Sequence, residues 1–262
     1  MDCFVCGAAL RPAFEKDFGG AYGLDVVHYE RCPSCGLVVS RTHYELADDA
    51  WGALNERYHD AYLGTEVNHD DPRWMDRLAA QAELLPALAG AGVVPAERPW
   101  LDYGAGDGKL ADMVSERGPL TLKFDRYLPR GTDGFVDDGE LAEGGYDLVL
   151  TTSVFEHVRS REPLDEVHRL VSEQGAMGLH TLVRGEIPDD PSWFYLLPVH
   201  CTFLTNRAME LLVEQWGYAS SLYAVDARMW CFSRADEAEL AGVAARLPGE
   251  IVTDRGFCAY WP

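Results

Sequence analysis

The stretch Leu101-Asp102-Tyr103-Gly104-Ala105-Gly106-Asp107-Gly108 decides how this chain is read. Before it, residues 99–103 form a short apolar strand. After it, Lys109–Glu116 carries the pattern of a helix, and the glycines between supply a turn. A strand that breaks into a glycine-rich turn and then a helix lets a ligand approach the backbone closely at the strand's carboxyl end. The spacing is G-x-G-x-G and lacks the third-glycine spacing of dinucleotide binders. Asp102, just before the turn, is a poor neighbour for a pyrophosphate and a good one for an ammonium group.

Outward from that turn the chain alternates strand and helix. Residues 120–124 read as a strand ending at Asp125, 19 residues beyond Gly106, where an acid accepts bonds from both hydroxyls of a ribose. Phe135-Val136-Asp137-Asp138 places an acidic pair before the next strand. One of the two is placed to meet an adenine amino group, unless the pair is only a solvated turn. Strands follow at 146–151 and 177–182, helices at 163–171 and 206–216, and a strand pair at 218–225 and 228–233. The expected fold is α/β and Rossmann-like: a mostly parallel sheet under helices, closed by a terminal antiparallel hairpin. S-adenosylmethionine carries an amino group and a sulfonium but no phosphate. It suits a pocket of Asp102, Gly104, Ala105, Gly106, Asp125, Asp137, Asp138 and Thr152.

Tyr146-Asp147-Leu148-Val149-Leu150-Thr151-Thr152-Ser153-Val154-Phe155-Glu156-His157-Val158 completes the set. With the glycine turn and the strand-end acid before it, this stretch resembles the class I S-adenosylmethionine-dependent methyltransferases. The later run Trp193-Phe194-Tyr195, then His200 to Thr205, and the helix closing on Trp216-Gly217-Tyr218 are similar to a bacterial branch of that family. The resemblance covers nearly the whole chain. It implies an N-terminal CxxC…CxxC ribbon, a substrate loop around residues 191–200, and a small-molecule acceptor such as a sugar or secondary metabolite. One departure stands out. Only twelve residues separate Asp125 from Asp138, and they include Pro129, Gly131 and Gly134, so the helix expected there is missing or reduced to a turn.

Four of the seven cysteines sit in the first 35 residues, as Cys3-x-x-Cys6 and Cys32-x-x-Cys35, each pair followed by glycine. Paired CxxC motifs in a reducing compartment read as a closed tetrahedral Zn2+ site, structural in kind. A strand is expected at 26–30 and another at 37–40, with helices at 47–64 and 73–90. Asp70-Asp71-Pro72 supplies the start of the second helix. The expected divisions are a zinc ribbon over 1–42, a helical lid over 43–96 and a methyltransferase domain over 97–262.

The net charge of −21, from 43 acidic against 22 basic residues, disfavours a nucleic-acid partner, which needs phosphate-neutralising basic patches. The first ten residues lack the features of a secretory signal and no stretch is long and apolar enough for a membrane span, so cytoplasmic residence is expected. Methyl transfer to a hydroxyl needs a general base, and histidine is the usual choice. His200 comes first, on the loop before the 206–216 helix, then His157 and His180 at strand ends. His157 reads equally as a packing element. Trp193 and Tyr195 form either a stacking platform for the acceptor or part of the core. Tyr58 and Tyr62 are further candidates on the lid. An RNA methyltransferase gripping its substrate with the ribbon, and a non-catalytic binding module, are the competing readings. The acidic charge counts against the first, and the intact glycine turn with Asp125 against the second.

Overall fold

The computed structural model describes residues 1–63, 72–128 and 130–261, with the side chains of 59–63 and 72–74 excluded. Asp70, Asp71 and Pro129, and the side chain of Tyr62, lie outside that set. In chain order come β1 (Arg11–Asp17), β2 (Val26–Arg31), β3 (Val38–Ser40), α1 (Arg41–Glu45), α2 (Asp48–Leu63) and α3 (Pro72–Gly90). Then follow β4 (Trp100–Tyr103), α4 (Lys109–Ser115), β5 (Thr121–Phe124), β6 (Tyr146–Thr152), α5 (Glu162–Leu170), β7 (Val171–His180), β8 (Val183–Arg184) and β9 (Thr202–Thr205). The chain closes with α6 (Asn206–Gln215), β10 (Ser220–Ala224), β11 (Met229–Ser233), α7 (Glu237–Ala244) and β12 (Ile251–Arg255).

The main sheet has seven strands in the order β12-β10-β11-β7-β6-β4-β5. β5, β4, β6 and β7 run parallel, while β7–β11, β11–β10 and β10–β12 pair antiparallel. The sheet is therefore mixed, more so than the expected parallel sheet with one hairpin, because β12 adds a further antiparallel edge. Alternation along the strands sorts side chains to two faces. Leu101, Tyr103 and Val149 pack with α5 and α6, whereas Trp100, Leu148 and Leu150 pack with α3 and α4. α5 turns Leu164, Val167 and Leu170 inward at helical spacing.

Between β5 and β6 the described residues hold only a parallel bridge, Lys123 to Phe135, and one short turn over Asp138–Glu140. The expected loss of a helix there is observed. β7 starts at Val171, six residues before the expected strand, because the chain passes straight from α5 into extended backbone.

A second sheet, β1-β2-β3-β9-β8, joins the first forty residues to the segment after β7. Val38 and Val39 pair with Phe203 and Thr202. Cys3, Cys32, Cys35, Leu37 and Val39 share one apolar cluster with the α5 and α6 face of the main sheet.

Candidate active site

β4 is buried along its length and ends in the glycine turn. Gly104 has φ 77°, and a Cβ there would lie 2.5 Å from Val154 Cγ2, so only glycine lets the turn sit against the end of β6. The amides of Gly104 and Ala105 both donate to Phe124 O, at 2.8 and 3.0 Å. Gly106 N donates to Asp125 Oδ2 and Tyr127 N to Asp125 Oδ1, each at 2.9 Å, so the strand-end acid is stitched to the turn. Asp102 is 1% exposed, and its Oδ1 has no hydrogen-bond partner. Burial, with Asp125 and Asp107 adding to it, pushes its pKa up to about 7. That oxygen is open to a hydrogen-bond donor or to a proton of its own, and Asp102 is not itself among the residues lining the cavity beside the turn.

Beside this turn opens a cavity of about 480 Å³. Gly104, Asp125, Arg126 and Tyr127 form one wall; Ser153, Val154, His157 and Arg159 form another, and Trp51 and Asn55 of α2 cover it. Ser153 takes φ 57°, a left-handed conformation that turns the chain sharply out of β6. Trp51 Nε1 donates to Tyr127 OH at 3.1 Å, and Arg159 pairs with Asp48 at the start of α2. Asn55 is fully buried: its Nδ2 donates to Trp51 O at 2.8 Å, while its Oδ1 has no partner.

The three candidate histidines part company. His157 lines the cavity. His200 lies behind it, 6% exposed, with ring centroids 5.0 Å apart and planes nearly perpendicular. Its Nδ1 faces Tyr195 O at 2.9 Å, so that nitrogen carries the proton. Buried Glu156 sits with both, accepting from Tyr195 OH at 2.7 Å and Thr181 Oγ1 at 2.8 Å. His180 is engaged elsewhere, accepting from Arg77 Nη1 at 2.8 Å and donating from Nδ1 to Arg228 O at 2.6 Å. Burial and the Arg77 guanidinium push its pKa down to about 3.

Other expected residues are placed as follows. Thr152 is half-buried at the end of β6, opposite His180. Asp137 Oδ1 accepts from Gly131 N at 3.1 Å, and Asp138 lies 3.8 Å from Arg126. Neither acid is among the residues lining the cavity. Trp193 is 7% exposed and packs with Phe203 in a core cluster rather than on the cavity wall. Sequence reasoning missed Arg126, Tyr127, Trp51, Asn55 and Arg159. Arg126 and Tyr127 directly follow Asp125, and that adjacency was the signal available.

At the N-terminus, one Sγ each from Cys3, Cys6, Cys32 and Cys35 lie within 4.8 Å of one another. The Cys3–Cys35 and Cys6–Cys32 separations are 3.6 and 3.4 Å. A tetrahedral ion with bonds of about 2.3 Å sets its sulfurs about 3.8 Å apart, so the four thiols fit one.

Residues 69–220 match the family model described as a methyltransferase domain, which is over half of the chain. The chain belongs to this methyltransferase-domain family. No curated protein matches the sequence. Among solved structures, this methyltransferase-domain chain is similar to the 1,6-didemethyltoxoflavin-N1-methyltransferase of Burkholderia thailandensis, with TM-score 0.50 and 16% identity over 89% of this chain and 96% of that one. That enzyme was determined with 1,6-didemethyltoxoflavin and S-adenosylhomocysteine bound. An O-methyltransferase family protein of Burkholderia thailandensis matches with TM-score 0.48 and 17% identity, over 72% of this chain and 63% of that one. At 16% identity the likeness to the first of these is one of fold alone.

Proposed function

We propose that the protein transfers a methyl group from S-adenosylmethionine to a hydroxyl of a small molecule, a sugar or a secondary metabolite. The observation that carries this reading is the unpartnered, buried Asp102 carboxylate at the foot of the glycine turn, with Asp125 at the cavity edge. Asp102 would receive the cofactor's ammonium, the Gly104–Gly106 backbone its close approach, and Asp125 its ribose hydroxyls. A structure of the same fold that holds S-adenosylhomocysteine and a small acceptor supports it. The net charge of −21 supports a small acceptor over a polyanion.

The cofactor supplies an electrophilic methyl on sulfonium, and displacement there depends mainly on alignment. His157 is the group assigned to take the acceptor's proton, since it faces the cavity. His200, first choice on sequence, serves behind it with Glu156 and Tyr195, which are spent on one another. We assign Cys3, Cys6, Cys32 and Cys35 a structural Zn2+. Asp125→Ala should weaken S-adenosylhomocysteine binding by about 1.5–3 kcal/mol for each charge-assisted bond lost, read by calorimetry. Unchanged affinity removes Asp125 from the cofactor site. Mass spectrometry of the native protein should find one zinc per chain, and disulfides among those four cysteines would overturn the metal assignment.

A further inference from the structure

The segment from β8 to β9 carries Tyr195 and His200, and little regular structure holds it. Glu156 and Val158 hold it at Tyr195 and Cys201, and the first 45 residues hold it along the rest of its length. Lys16 Nζ donates to Leu196 O at 2.7 Å. Arg31 Nη2 donates to Ile187 O at 2.7 Å and to Asp189 Oδ1 at 2.5 Å. Ser40 N donates to Cys201 O at 2.7 Å, and Thr205 Oγ1 to Cys35 O. Gly36, in the second cysteine turn, is packed so tightly that a Cβ would lie 3.0 Å from Thr205 Cγ2.

His43 is the centre of these ties. It is fully buried, and its Nε2 donates to Pro198 O at 2.8 Å, two residues before His200. Nδ1 then accepts from Ser40 Oγ at 2.5 Å, at the end of the strand that leaves the second cysteine turn. Burial lowers its pKa, which keeps the ring neutral in that tautomer. The same ring meets Trp51 edge-on at 5.6 Å, and His43 O accepts from Arg159 Nη1 at 3.1 Å. Trp51 and Arg159 both line the cavity. By contrast, among the described residues no hydrogen bond joins residues 1–46 to the glycine turn or to Asp125.

We infer that the four-cysteine module is a clamp for the acceptor side of the cavity, with His43 and Arg31 as positioning residues that fix the 186–201 segment behind His157. The inference rests on reading the cavity as a methyl-transfer site. It extends that reading by giving the metal-binding turns a task separate from cofactor binding.

Hydrogen-exchange mass spectrometry and calorimetry on the full chain test it. His43→Ala should raise amide exchange across 186–201 by about tenfold or more, with zinc content and S-adenosylhomocysteine affinity kept within about twofold. Its kcat/KM for an acceptor should fall by about tenfold or more, whereas His43→Gln, which retains a donor toward Pro198 O, should recover most of both. Chelator-stripped protein should show the same rise over 186–201. Should His43→Ala fail to fold, Arg31→Gln tests the clamp by faster exchange at 186–190 with zinc retained. Exchange that rises only within 1–42 on metal loss overturns the inference. So does a loss of cofactor affinity as large as the loss of acceptor turnover. A wild-type protein that binds no S-adenosylhomocysteine defeats the methyl-transfer reading instead, and the exchange experiments still decide the clamp.

Discussion

The two sides of the cavity are built on different plans. The side with Gly104 and Asp125, beside buried Asp102, comes from one continuous stretch, β4 through the residues after β5, and its bonds are local. The opposite side gathers α2 and the turn after β6, and the segment before β9 packs behind His157 without lining the cavity. Distant chain supplies its support, from Lys16 to Leu196 and from His43 to Pro198. A ligand common to many proteins can be met by a compact motif on strand ends. An individual acceptor is met by parts that vary independently while the sheet stays fixed.

The sharpest way to break this division is at His157. If it takes the acceptor's proton, His157→Ala should lower single-turnover rate by about 10²–10⁴-fold and leave S-adenosylhomocysteine affinity intact. His200→Ala should cost less in rate and more in thermal stability, since His200 is buried and holds Tyr195 O. Normal turnover for His157→Ala with a large loss for His200→Ala would move the base to the inner ring. Normal turnover in both would point to an acceptor that is already nucleophilic, such as an amine.

The cofactor side is sharpened by pH. Asp102 must be charged to hold an ammonium group, and in the free protein its pKa stands near 7. As pH falls below 7 the carboxyl is protonated, so affinity for S-adenosylhomocysteine should drop by up to about tenfold per pH unit. The sign for stability is opposite to that of a salt-bridged carboxylate. The folded pKa lies above the unfolded one, so the free protein loses stability as pH rises from about 4 through about 7. Asp102→Asn should therefore raise the unfolding free energy of the free protein at pH 8 by a few kcal/mol at most, read from urea denaturation, while weakening binding and flattening its pH dependence. A variant less stable than the parent at pH 8 would mean that Asp102 has a partner in the free protein.

Legibility in the sequence follows the same line. Residues 101–125 announced their strand, turn and acid because each signal lies within a few positions of the next. Trp193 read as either a stacking ring or part of the core, and it packs inside; a tryptophan in a loop carries no mark of which way it faces. β1, β8, β9 and β12 were not expected. β1 is charged and interrupted by Pro12, β8 has two residues, and β9 and β12 are defined by partners far along the chain. The pairing of His157 with His200, and the isolation of His180 against Arg77, likewise depend on tertiary contacts that no spacing encodes.

The smallest expected effect lies in the acceptor side's interior. Tyr195→Phe removes one donor from buried Glu156, leaving Oε1 short of a bond at a cost of about 1–3 kcal/mol. Cofactor affinity should not change, and a denaturant series alongside calorimetry reads both. A loss of cofactor affinity equal to the loss of stability would show that the two sides are not separable.

The β3–β9 pairing also fixes an order of assembly. The Thr205–Cys35 contact closes 170 residues of chain. The cysteine turns can close as soon as residues 3–37 have been synthesised, but the strand that covers β3 is made only after residue 200. Until then β3 is an open edge, and pairing across so long a loop is slow. During synthesis, therefore, the support behind His157 is completed late, after Gly104 and Asp125 of the facing wall have already been made.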